Sequence, residues 1–447
     1  MLSHETTYHF VGIKGSGMSS LALVLHGQGY RVQGSDVPTY FFTQQELENR
    51  GVALFAFGAD NIREGLTIIA GNAFSDDHEE LTRAREMGLP IYRYQDFLGN
   101  LIQAYTSVAV TGCHGKTSTT GLMAHALKHL APTCYLIGDG TGYGSEGANY
   151  FALEACEYRR HFLAYHPDYT IITNIDFDHP DYYSSIEDVF SAFQQFASQT
   201  KKAVIAYGGD AYLRQLKVDI PIYYYGLTEQ EDVYATAIER TPEGSAFDVM
   251  YQGERFGRFQ VPTFGEHNIL NALAVITVLK LEGFSAESIA EHLATFGGVK
   301  RRFSEKKVND LILIDDYAHH PSEIRATIDA TKQRHPHRRC VAIFQPHTYT
   351  RTVALLQEFA DALALADDVY LVDIFASARE KESMEQLVTI DDLARMIDKP
   401  VEIVSATHLS PLMKYEDDVL VFMGAGDIDK VGQQFEKAYA QLHPNTL

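Results

Sequence analysis

Positive charge is scarce in this chain: 37 lysines and arginines stand against 59 aspartates and glutamates, a net charge of −22. So acidic a chain lacks the basic face that nonspecific nucleic-acid or membrane-surface binding requires. Anionic small ligands are not excluded, because a few local cations and backbone N–H groups hold those. Long apolar runs are missing too: none approaches the roughly 18 residues of a membrane helix. Four cysteines (113, 134, 156 and 340) lie far apart with no C-x-x-C pair, and read as cytosolic thiols rather than a disulfide framework. The opening MLSHETTYHF has no cationic segment followed by an apolar one, so no secretory signal is expected. What these absences leave is a cytoplasmic enzyme with no nucleic-acid partner and no membrane insertion.

At 447 residues the chain is long enough for about three domains. Nearly continuous apolar runs such as YHFVGI (8–13), TIIAG (67–71), VAVTG (108–112), YTIITNI (169–175), LILIDD (311–316), CVAIF (340–344) and VLVFMG (419–424) suit parallel strands covered on both faces. Amphipathic segments at 18–29, 184–197 and 268–283 follow in a βαβ rhythm, which predicts an α/β protein with mostly parallel sheets. The rhythm restarts three times, placing domains at 1–99, 100–302 and 303–447. GGVKRRF (297–303) reads as a hinge before the third.

GIKGSGMSS (12–20) follows a strand and opens a helix. Gly15-Ser16-Gly17-Met18 begins a loose G-x-G-x-x-G pattern in which Ser20 replaces the last glycine. Asp36 lies about twenty residues on, where a carboxylate can accept hydrogen bonds from a ribose hydroxyl. A nucleotide diphosphate at the helix N-terminus is the favoured ligand. Taken alone, residues 12–36 also fit a nicotinamide-dependent oxidoreductase.

VAVTGCHGKTSTTGL (108–122) is a second glycine loop between a strand and a helix. The usual phosphate loop reads G-x-x-x-x-G-K-[ST], yet Val110 stands where its first glycine would be. Gly112 and Gly115 free the backbone to curl its N–H groups around phosphate. Lys116 supplies a cation for the β- and γ-phosphates, and Thr117 a hydroxyl for Mg²⁺.

The stretch T-G-x-H-G-K-T-[ST]-T-T resembles the phosphate loop of the Mur ligases, ATP-dependent amide-forming enzymes of peptidoglycan synthesis, in which the position of Val110 need not be glycine. The resemblance runs from GIKGSGM to MGAGD, with H-N-x-x-N (267–271), DDYAHH (315–320) and FQPHTYTRT (344–352) between. It implies a Rossmann-like first domain for the UDP-sugar, carrying Gly15, Ser16, Gly17, Met18 and Asp36. It implies a central P-loop-type domain binding ATP through Gly112, His114, Gly115, Lys116, Thr117 and Ser118. His267, Asn268 and Asn271 would lie beside the adenine, Arg302 at the phosphates and Asp316 at the ribose. Magnesium would be held by Thr117, Glu154 and His179. A Rossmann-like third domain would bind the amino acid through His319, His347 and Arg351, which with Lys116 and His179 make up the expected catalytic set. The implied reaction joins L-alanine to the carboxylate of UDP-N-acetylmuramate through an acyl phosphate, in a monomer or weak dimer. A murein tripeptide recycling ligase is the neighbouring alternative.

Three positions depart from the family pattern. Cys156 replaces an acid, for which Glu157 could compensate; Cys113 replaces threonine or alanine; Thr348 replaces an arginine and leaves one fewer cation for a substrate carboxylate.

Overall fold

The computed structural model describes residues 2–376 and 388–443, in which the apolar runs form the strands of three sheets. The first sheet has five parallel strands, in the spatial order Ala53–Ala56, Arg31–Asp36, Thr7–Val11, Leu66–Ala70, Ile91–Arg93. Thr7–Val11 runs through the glycine loop into the helix Ser16–Gly27, and the neighbouring strand ends on Asp36 beside that loop.

The second sheet has ten strands. At its centre Thr106–Thr111 lies between Tyr150–Glu154 and Tyr169–Ile172, all parallel. This order decides where the chemistry sits: the phosphate loop leaves the middle strand, and the polar ends of both neighbours flank it. Beyond the parallel strands an antiparallel meander, Val233–Thr241, Gly244–Tyr251 and Glu254–Val261, extends the sheet. In its second strand buried Phe247 and Val249 alternate with half-buried Ala246, Asp248 and Met250, the pattern of strands open to water on one face.

In the third sheet Val419–Met423 lies between Leu311–Asp316 and Cys340–Phe344, all parallel, and Ser304–Val308 adds an antiparallel edge. The turns DDYAHH, MGAGD and FQPHTYTRT therefore leave one end of three adjacent strands.

Packing separates these units unequally. Phe10, Leu21 and Phe97 of the first unit share one continuous apolar cluster with Phe151, Phe162 and Phe193 of the second. The third unit's clusters contain only residues after 302. Its described links to the second unit include many polar ones. Beside the meander, the Gln333 amide accepts from Arg240 at 2.8 Å and from the Gly265 N–H at 2.8 Å, and donates to the Thr241 carbonyl at 3.0 Å. Arg240 also pairs with Asp329 at 2.7 Å. Among the described residues no helix is long and apolar enough to cross a membrane.

Glu80, fully buried in the first unit, accepts hydrogen bonds from Ser35 at 2.5 Å, Asn61 at 2.6 Å and the Gly58 N–H at 3.1 Å, and lies 3.3 Å from His9. Burial opposes its charge, but these partners outweigh it and hold the carboxyl below its usual range. The stabilisation is therefore complete above the unfolded-state value of about 4.3 and is lost as pH falls through the lower folded-state value. Glu80→Ala, which strands four polar partners, should cost about 3–5 kcal/mol. Urea unfolding should show a milder loss for Glu80→Gln, together with a shallower decline of stability at acid pH than in the parent chain.

Candidate active site

Gly112 and Gly115 take φ of 133° and 80°, values that L side chains rarely adopt. At Gly112 a Cβ would also fall 2.0 Å from the Thr173 hydroxyl. The loop is held by Cys113, whose Sγ lies 3.2 Å from the Asp176 N–H it accepts and 3.1 Å from the Asp176 carbonyl it donates to. Burial, with the Glu157 carboxylate nearby, pushes this thiol well above its ordinary pKa, so it is an anchoring group rather than a nucleophile. Cys156 is exposed, and its hydrogen-bond partner is the Tyr158 backbone rather than the loop.

Lys116 opens the helix Lys116–Leu130 and bends back over the loop, donating to the Gly112 carbonyl at 2.5 Å and pairing with buried Glu157 at 2.9 Å. Burial opposes the ammonium charge, but Glu157 overrides it and raises the lysine pKa. Thr117 stands beside Glu154, whose carboxylate accepts the Gly138 N–H at 2.9 Å. His179 is instead grouped with Glu157, at 3.5 Å, and Asp178, at 3.8 Å. Its φ of 55° is unusual for a non-glycine residue and turns the chain sharply after the strand. Glu157 thus supplies a buried charge beside Lys116, next to the thiol at 156.

A cavity of about 930 Å³ opens between the second and third units and is lined by His114, His267, Asn268, Asn271, Arg302 and Asp316, among others. Asn268 donates to the Phe264 carbonyl at 2.7 Å and accepts from Asn271 at 3.3 Å, which fixes both amides at the start of the helix Glu266–Leu281. Burial holds His267 neutral, with its pKa lowered to about 4. Burial raises Asp316 to about 6, although its carboxylate accepts the Phe303 and Ala318 N–H groups, both at 2.8 Å. His114 carries charge: burial opposes it, but Asp176 and Glu323 raise its pKa to about 9. Ser118 and Gly115 also line the cavity.

Glu323, in the first turn of the helix Pro321–Arg334, accepts from Arg302 at 3.3 Å and from the His319 N–H at 2.9 Å. The centres of the His319 and His347 rings are 6.2 Å apart. Arg351 is buried, and its Nε and Nη2 both donate to Asp178, at 3.1 and 2.7 Å. Among the described residues its Nη1 makes longer contacts, 3.4 and 3.5 Å, to His347. Arg351 is therefore first a link between units. Thr348, with φ of 74°, caps the short helix carrying Arg351 through its hydroxyl, a service that an arginine side chain cannot give.

In the first unit Gly15 and Ser16 are exposed at the helix start and Met18 is buried. Asp36 accepts from the Lys14 and Val37 N–H groups, both at 2.7 Å, so it shapes the loop as well as facing it. Sequence reasoning missed Asp178 as the partner of Arg351, and missed Glu323 entirely. The signal for the latter was an acid in a helical first turn directly after DDYAHH.

Three family models match the chain: the Mur ligase family catalytic domain over residues 7–106, the Mur ligase middle domain over 110–279, and the Mur ligase glutamate ligase domain over 301–426. The chain is 56% identical over 441 residues to the UDP-N-acetylmuramate–L-alanine ligase of Levilactobacillus brevis, covering 99% of this chain and 98% of the relative. It is 56% identical over 438 residues to the enzyme of that name from Lactiplantibacillus plantarum, covering 98% and 99%. Among solved structures it is similar to the UDP-N-acetylmuramate-alanine ligase of Thermotoga maritima, with a TM-score of 0.79, 30% identity, and 98% and 99% of the two chains covered. A murein peptide ligase from Psychrobacter arcticus shares the fold, with a TM-score of 0.69, 24% identity, and 97% and 98% covered.

Proposed function

Because the chain belongs to the Mur ligase family, we propose that it joins L-alanine to the carboxylate of UDP-N-acetylmuramate, converting ATP to ADP and phosphate. The observation that carries this reading is the 56% identity, along almost the whole of both chains, to relatives named for that reaction. The nicotinamide alternative accounts for the first glycine loop but leaves the second and its cavity without a role.

The geometry supports assigned parts. ATP would place its phosphates against the loop 112–118, under the cations of Lys116, His114 and Arg302, with the base near His267, Asn268 and Asn271. The muramyl carboxylate attacks the γ-phosphorus, forming an acyl phosphate and releasing ADP. Such a transfer depends mainly on position and charge, which these cations supply. Thr117 and Glu154 form a fitting oxygen set for magnesium, which would neutralise phosphate charge, while His179 stands with Glu157 and Asp178 instead. The amine of L-alanine then attacks the acyl carbon, and collapse of the tetrahedral adduct expels phosphate. Its carboxylate would dock on the loosely held Nη1 of Arg351, between His347 and His319.

Phosphate release should require UDP-N-acetylmuramate, L-alanine and ATP with magnesium together, and should fall to background when any one is omitted. Release indifferent to the sugar nucleotide would sink the ligase reading. Turnover with L-alanyl-γ-D-glutamyl-meso-diaminopimelate in place of L-alanine would favour the recycling reaction.

A further inference from the structure

We propose that His114, Asp176 and His320 form a transition-metal site of the zinc type that clasps the third unit onto the phosphate loop. His114 belongs to that loop, Asp176 lies past the end of Tyr169–Ile172, and His320 caps the helix Pro321–Arg334 of the third unit. His114 Nε2 is 3.2 Å from Asp176 Oδ2, and His320 Nδ1 is 3.7 Å from the same oxygen. One ligand atom from each residue falls within 4.8 Å of the others. Tetrahedral zinc separates its ligand atoms by about 3.4 Å, so only a small contraction is needed.

The donor set selects the metal. Two imidazoles and one carboxylate suit zinc, whereas magnesium takes oxygen ligands. Ligation would displace the proton that His114 Nε2 shares with Asp176 at 3.2 Å and the Ser322 N–H that His320 Nδ1 accepts at 3.4 Å, leaving the other nitrogen of each ring as it is. Glu323 lies 3.8 Å from His114 Nδ1 and Ser322 Oγ lies 3.1 Å from Asp176, placing outer partners that orient such ligands. The other described cluster, Glu157, Asp178 and His179, is already served by cations: Lys116 on Glu157 at 2.9 Å and Arg351 on Asp178 at 2.7 Å. His114 and Asp176 also line the cavity, which leaves a path for the ion and room for a fourth ligand. Because the ligands come from two units, the ion holds them in the closed arrangement and slows a cycle that needs reopening.

The test titrates Zn²⁺ into the tag-free chain without nucleotide or magnesium, following binding by competition with a chromophoric chelator and shape by small-angle scattering. One high-affinity ion per chain and a smaller radius of gyration are expected. His320→Ala and Asp176→Asn should each weaken that binding by about a hundredfold or more and abolish the compaction, while His179→Ala keeps both. Sugar-nucleotide binding by each variant reports that it is folded, and His114→Gln repeats the test from the loop side. Unchanged zinc affinity in His320→Ala, loss in His179→Ala instead, or binding without compaction would overturn the proposal.

Discussion

Lys116→Ala should reduce phosphate release by at least about a thousandfold, because a transfer governed by electrostatics loses the cation nearest the loop backbone. Sugar-nucleotide binding, which we propose for the first unit, should survive in a calorimetric titration. The structure adds a second effect. Glu157 is 1% exposed and paired with Lys116 at 2.9 Å, so removing the lysine strands a buried carboxylate next to His179. That should cost about 3–5 kcal/mol of stability. The double variant Lys116→Met/Glu157→Gln separates the two effects: it should recover most of the stability and none of the turnover. Recovery of turnover in the double variant would show that Lys116 acts only by neutralising Glu157.

Asp178→Ala should lower kcat/KM for L-alanine by about two to three orders of magnitude, with the ATP dependence less affected. Asp178 and Arg351 are each 5% exposed and meet at 2.7 Å across the two units. Leaving Arg351 buried and unpaired penalises the closed arrangement by about 3–5 kcal/mol. Burial opposes the Asp178 charge, but Arg351 holds its carboxyl well below the usual range. The pair is therefore intact at neutral and mildly acid pH, and is lost only as pH falls through that depressed value. Asp178→Asn/Arg351→Gln, which removes both charges, should close more readily than either single variant but remain poor with L-alanine. Steady-state kinetics with alanine varied at saturating ATP and sugar nucleotide measure this. An unchanged kcat/KM in Asp178→Ala would remove the pair from the catalytic cycle.

Much of this was legible before any coordinates. LILIDD and CVAIF become strands over Leu311–Asp316 and Cys340–Phe344, the bounds their apolar runs suggest. Buried parallel strands announce themselves in composition. The meander Val233–Val261 did not, because its half-exposed strands, one exposed along most of its length and two partly alternating, are a weaker signal beside the long apolar runs. At the site, Lys116 and Thr117 could be placed from loop chemistry, and the neighbourhood of the DDYAHH and FQPHTYTRT turns follows from strand order. Pairings across units could not be placed. Asp178 with Arg351 and Asp176 with His320 join residues far apart in the chain, and nothing local in either segment encodes the partner. Cys113 and Thr348 looked like departures from a pattern. In the structure each makes a specific backbone contact, one bracing the loop and the other capping a helix.

The helix Pro321–Arg334 is tied to the second unit at both ends, by Glu323 and Ser322 near the phosphate loop and by Gln333 at the meander. It can therefore serve as a lever with its fulcrum at Gln333. The arm from Gln333 to Glu323 is about 15 Å long, so a turn of only about 10° carries the far end through roughly 3 Å. That stroke parts Ser322 from Asp176 and Glu323 from His114 while the amide bonds at the fulcrum barely stretch. A turn of that size would widen the cavity at its Glu323 end while leaving the Gln333 end almost in place.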